Sequence, residues 1–142
     1  MNQFSKCLLI LAIMATVGIV YAQNNVHGKG KTKLEVYYFH PTERCPIDQS
    51  IEENTRKLMQ SDFVKEIKNG TIKFQVINTD DKAKANIVGK FEMNAQALYL
   101  VTFANGKEIK NDLTEFAFSC GQSNPAKFRS RLKEEILTAL LP

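Results

Sequence analysis

The chain has no tryptophan, two histidines (His27 and His40), three cysteines (Cys7, Cys45 and Cys120) and four prolines. Each scarcity excludes something. So few histidines and cysteines, at irregular spacing, make no zinc-type ligand set, and no metal or other cofactor is expected. There is no Gly-rich phosphate loop and no Gly-x-Ser-x-Gly, which removes the common nucleotide-binding and serine-hydrolase signatures. Runs of one charge are also missing, because 19 basic residues are interleaved with 15 acidic ones for a net charge of +4. Nucleic-acid binders gather their basic residues on one face, so no nucleic-acid partner is expected. Lys127, Arg129, Arg131 and Lys133 read as the solvated face of a helix. Neither an internal repeat nor a low-complexity tract occurs. What is present, 142 residues of which 44% are hydrophobic, suits one globular domain.

The one long apolar run lies at the N-terminus. Lys6 is followed by the uncharged stretch Cys7 to Val20, and Val20 and Ala22 are small residues placed before a cleavage point. The run is shorter than the roughly twenty residues that span a bilayer, so residues 1–22 read as a secretory signal peptide cut after Ala22. The expected product is exported to a periplasmic or secreted location, has no membrane attachment after cleavage, and keeps Cys45 and Cys120 in an oxidising compartment. Residues 23–32 are polar, hold Gly28, Gly30 and His27, and read as a flexible lead-in.

From there the pattern alternates strand and helix. Lys33 to Phe39, rich in β-branched and aromatic residues and closed by His40-Pro41, predicts a first strand. Pro46 suits a first helical turn, and Ile47, Ile51, Leu58 and Met59 recur at helical spacing with charged residues between them. Ser61-Asp62 is a candidate cap before Phe63, Val64 and Ile67, so this helix continues or restarts before the Asn69-Gly70 turn. Thr71 to Ile77 predicts a second strand. Thr79-Asp80-Asp81 then caps a short helix with Ala83, Ile87, Val88 and Phe91 on one face. Ala97 to Phe103 and Lys107 to Lys110, joined through Asn105-Gly106, predict an antiparallel hairpin. Thr114 to Cys120 reads as a helical turn, and Asn124-Pro125 opens a last helix carrying Phe128, Leu132, Ile136 and Leu140. The two crossovers imply parallel strands, with the hairpin adding an antiparallel edge. The fold class is α/β, a central mixed four-stranded sheet flanked by helices.

The stretch Val36-Tyr-Tyr-Phe-His-Pro-Thr-Glu-Arg-Cys45-Pro-Ile-Asp48, with the amphipathic helix after it, resembles the first strand, active-site loop and first helix of thioredoxin-like proteins. The likeness covers roughly Lys33 to Leu141, so residues 33–142 are expected to form a thioredoxin-like domain. What it implies is a reactive thiol at Cys45, delivered by a strand to a helix N-terminus where the dipole and free amides stabilise a thiolate. Two departures accompany it. Asp48 stands where dithiol members carry the resolving cysteine, and Gln96 or Ala95 stands where they carry a cis-proline before the third strand; a non-proline cis bond is costly, so a trans loop is expected. Thr42-Glu-Arg-Cys45 is also similar to the Thr-x-x-Cys of peroxiredoxins, but Tyr38 takes the place of their preceding proline.

Two functions follow as expectations. One is monothiol disulfide exchange or redox chemistry at Cys45 with protein or peptide thiols and disulfides, where Arg44 and the helix terminus favour the thiolate and Asp48 opposes it. The other is a non-catalytic thioredoxin-fold module that binds a protein or peptide in the cell envelope. Cys120 reads as a small packing residue beside Phe116 and Phe118, with a Cys45–Cys120 disulfide the alternative. His40, five residues before Cys45, reads as structural, with a Cys/His pair as its alternative.

Overall fold

A computed structural model describes residues 32–104 and 106–141. The expected signal peptide (residues 1–22), residues 23–31 of the expected lead-in, Asn105 and Pro142 lie outside them. Strand β1 (Leu34–His40) leads through a short loop to helix α1 (Pro46–Asp62) and a one-turn helix α2 (Val64–Lys68). Strand β2 (Ile72–Asn78) follows, then a 3-10 turn at Lys82–Lys84, helix α3 (Ala85–Phe91), strands β3 (Ala97–Ala104) and β4 (Lys107–Asp112), and helices α4 (Thr114–Cys120) and α5 (Pro125–Leu140). The four strands form one mixed sheet in the order β2-β1-β3-β4.

Strand alternation divides the core into two layers. Leu34, Val36 and Tyr38 of β1, with Leu98 and Leu100 of β3, face Ile51, Leu58 and Met59 of α1 and Phe128, Leu132 and Ile136 of α5. Intervening residues Tyr37, Phe39, Ala97 and Val101 turn to the other face, where Phe91 closes α3 against them. The Phe91 ring lies 5.0 Å from Tyr37, 5.0 Å from Phe39 and 5.2 Å from Tyr99. Such tilted aromatic contacts hold a short helix that has little propensity of its own.

Strands β1 and β2 are parallel, as expected, but β3 runs antiparallel to β1, and β4, antiparallel to β3, therefore runs with β1 and β2. The expectation of three parallel strands with a reversed edge is thus corrected. The direction follows from where the β2–β3 link ends. Its only α-helix, α3, has seven residues and reaches about 10 Å, whereas the seven-residue β2 extends about 23 Å. The link stays at the end where β1 and β2 finish, and β3 starts there, with Ala97 opposite Phe39.

Two local readings also change. Ser61 and Asp62 are the last residues of α1 rather than a cap, and buried Phe63 separates it from α2. The turn before α3 is 3-10, with Asp81 accepting from the Ala83 amide. Asn124 does cap α5, its side chain accepting from the Lys127 amide, and Pro125 takes the first helical position. Gly106 closes the hairpin with φ of 76°, a left-handed value that suits glycine.

Candidate functional site

The topology gathers three segments at one end of the sheet: residues 41–45 after β1, residues 79–81 after β2, and the loop ahead of β3. They are tied together by specific bonds. The Thr42 amide donates to Asp80 Oδ2 at 2.7 Å, and Asn78 Nδ2 donates to Thr42 Oγ1 at 3.1 Å. Asp80 is fully exposed, yet the Thr42 amide holds its carboxyl below the ordinary value.

Cys45 sits on this braced loop as the N-terminal cap of the 17-residue α1, with extended backbone (φ −89°, ψ 164°) and an exposed side chain. Pro46 takes the first helical position, where its missing N–H is not needed. One turn on, Asp48 is completely buried, with no exposed surface. A buried carboxylate is costly unless several donors surround it, and here they come from three elements. Gln96 Nε2 donates to Asp48 Oδ2 at 2.9 Å, the Cys45 amide donates to the same oxygen at 3.2 Å, and the Cys45 thiol donates to it at 3.4 Å. The Tyr38 hydroxyl lies 3.3 Å from Oδ1 and donates to the Asp48 carbonyl oxygen at 3.0 Å. The helix N-terminus adds its favourable field for a negative charge. Burial, and after it the charge of Asp48, raises the Tyr38 phenol well above its ordinary value, so Tyr38 remains a donor.

Arg44 makes no hydrogen bond to the sulfur. Its guanidinium pairs with Glu52, donates to the Asp48 carbonyl at 3.2 Å and lies 5.9 Å from the Tyr38 ring centroid. Burial alone would lower its pKa; the bond to Glu52, the Glu52 charge and Tyr38 outweigh that and raise it. The Arg44 that was expected to favour a Cys45 thiolate is thus engaged with Glu52 and the helix backbone.

Cys45, Arg44, Pro46, Asp48 and Gln96 therefore meet in one place, and of Ala95 and Gln96 it is Gln96 whose side chain enters the site. His40 does not join them. Its Nδ1 lies 2.8 Å from the Pro41 carbonyl, which only accepts, so that nitrogen donates, and no hydrogen bond links the ring to Cys45. Cys120 is buried in the α1–α5 layer with its thiol 3.4 Å from the Phe116 carbonyl; both cysteines are free. Two participants carry no site signal of their own in the sequence. Tyr38 reads in the sequence as a strand residue and as the residue in the place of the peroxiredoxin proline, although its alternation with Val36 aims it at α1. Glu52, one helical turn beyond Asp48, was seen only as a charged helix residue.

Among the described residues no three His, Cys, Asp or Glu side chains gather as a metal site, and no helix is long and apolar enough to cross a membrane. No peptide bond among them is cis, so the loop holding Gln96 is trans. Two surface grooves, one between β3, β4 and the end of α5 and one beside α2, contain none of the site residues.

No family model and no curated protein matches the chain. A solved structure described as that of a malarial protein is 15% identical, covers 62% of this chain and 94% of its own, and has a TM-score of 0.39, a likeness that carries no argument.

Proposed function

We propose that the chain is an exported thioredoxin-like protein in which Cys45 acts as a single thiol, exchanging disulfides with protein or peptide partners. One observation carries the reading: exposed Cys45 is the N-cap residue of a long helix, and its thiol donates its hydrogen to a fully buried carboxylate. A cysteine that merely packed would be buried, as Cys120 is. The order of strands and helices, with the thiol loop directly after the first strand, supports a thioredoxin-like arrangement. Asp48 at the position of a resolving thiol limits the chemistry to one sulfur, so a mixed disulfide is the product that accumulates.

The reaction is tested by exposing the protein, lacking residues 1–22, to excess 2-hydroxyethyl disulfide and weighing it intact. One adduct at Cys45, absent in Cys45→Ser, supports the reading. No adduct on a folded, reduced protein overturns it.

A second reading, a non-catalytic binding module of the cell envelope, is favoured by the Gln96–Asp48 bond, which joins the two positions where dithiol members keep their cysteine and proline. Insulin reduction separates the two. With dithiothreitol present to clear the mixed disulfide, activity lost in Cys45→Ser supports exchange, and no activity in either form supports binding alone.

A further inference from the structure

Four donors surround the Asp48 carboxylate, and they differ in what they can release. The Cys45 amide and the Gln96 carboxamide do not ionise in water near neutrality, and the Tyr38 phenol is held above its ordinary value by burial and by Asp48 itself. The Cys45 thiol is the one donor whose hydrogen can leave, and it is directed at Oδ2. That oxygen is also the one Gln96 grips, more closely than either Cys45 group approaches it.

We propose that Asp48 accepts the proton of Cys45 as the sulfur attacks a disulfide, and that Gln96 is the positioning residue that keeps Oδ2 aimed at Sγ. This rests on the disulfide-exchange reading of Cys45. The step is balanced. Cys45 Sγ forms a bond to one sulfur of R–S–S–R′, the S–S bond breaks, and the leaving sulfur takes the electron pair. The proton moves from Sγ to Asp48 and then to the departing thiolate, giving Cys45–S–S–R and R′–SH. Cys45 is oxidised and R′ reduced, with the substrate disulfide as the oxidant.

The carboxylate touches the reacting sulfur, while Gln96 acts only through it, and that difference is measurable. The rate of adduct formation with 2-hydroxyethyl disulfide is compared with the thermal midpoint for each variant. Gln96→Leu is expected to slow the reaction about tenfold, the scale of one charge-assisted hydrogen bond, and Asp48→Asn by at least as much. In the Asp48→Asn background, Gln96→Leu should slow it no further, because the residue it would position is gone. The exchange pair Asp48→Asn with Gln96→Glu restores an amide–carboxylate bond with its ends reversed. It is expected to recover the midpoint while the reaction stays slow. Equal slowing by Gln96→Leu in both backgrounds, an unchanged rate in Gln96→Leu, or a rate that returns with the midpoint in the exchange pair would each overturn the proposal. A wild-type protein that forms no adduct overturns the exchange reading beneath it, which is a separate outcome.

Discussion

Two glycines make opposite predictions from the same substitution. Gly121 follows α4 and is buried against the helix that carries Cys45; its carbonyl accepts from Ser50 Oγ at 2.9 Å. A β-carbon there would stand 2.5 Å from Ile51 Cγ1 and 2.6 Å from the Ala117 carbonyl oxygen. The Ile51 side chain is itself fully buried, and the Ala117 carbonyl is fixed by accepting the Gly121 amide at 2.7 Å. Neither neighbour can yield without moving α1 or α4, so Gly121→Ala is expected to destabilise the fold by about 1–3 kcal/mol, the range for overpacking. At about 4 °C per kcal/mol for a domain of this size, the thermal midpoint falls by about 4–12 °C. Gly89 lies inside α3, with nothing within 4 Å of an added β-carbon. Gly89→Ala lowers the entropy of the unfolded chain and is expected to stabilise by about 0.5–1 kcal/mol. Both are read by calorimetry on the same preparation. A Gly121→Ala midpoint at or above the wild type, or a Gly89→Ala midpoint below it, refutes the reasoning.

Timed iodoacetamide labelling of the reduced, folded protein should modify exposed Cys45 and spare buried Cys120 until denaturant is added; equal labelling of both contradicts the burial of Cys120. Leu132→Ala empties a fully buried position between Phe128 and Ile136 on the α5 stripe and should destabilise by about 2–5 kcal/mol in urea unfolding, with a loss under 1 kcal/mol counting against the assigned core. Burial would raise the Glu52 carboxyl, but Arg56 and Arg44 outweigh it and leave its pKa below the ordinary 4.5. A depressed carboxyl stabilises the fold above its unfolded value, and that stability is lost as pH falls through the folded one. Glu52→Gln should therefore weaken the protein near pH 7 and flatten its stability profile below about pH 5; a profile parallel to wild type removes Glu52 from the account.

What was legible in the sequence was whatever depends on neighbours close along the chain. The β-branched and aromatic run of Lys33 to Phe39, the four-residue spacing of Phe128, Leu132 and Ile136, and the Asn124-Pro125 start of α5 each carry their own composition, period or cap. The direction of β3 does not, because it depends on where an eighteen-residue link ends in space, and the same residues would serve either direction. The site divides along the same line. Cys45 and Asp48 could be paired from their three-residue separation at a helix start. Gln96 reads only as one of two residues, with Ala95, in a proline's place, and its bond to Asp48, 48 positions away, follows from β3 starting beside the end of β1. Thr79-Asp80-Asp81 reads as a helix cap, a role that falls to Asp81, while Asp80 fastens the Thr42 amide. Asp, Asn and Ser serve caps and long-range anchors equally well, and the local pattern does not separate them.

If Cys45 exchanges disulfides as proposed, the identity of residue 48 decides how the reaction ends, and a single substitution tests this. On a helix, residues three apart have α-carbons about 5 Å apart, inside the roughly 4.4–6.8 Å that a disulfide accepts. Asp48→Cys thus places a second sulfur within reach of Cys45 without moving the backbone. The position is fully buried and takes a small apolar side chain readily, and the Tyr38 hydroxyl keeps its bond to the backbone carbonyl there. Gln96 loses its acceptor, but it is only partly buried and water can replace it. With wild type, 2-hydroxyethyl disulfide should leave a lasting adduct on Cys45, since no neighbouring thiol displaces it. With Asp48→Cys the adduct should form and then vanish, leaving a protein two hydrogens lighter than its reduced form and carrying an internal disulfide. An adduct that persists in Asp48→Cys would show that the two side chains are not directed at one another, and the reading of Asp48 as standing in the place of a resolving thiol would fail with it.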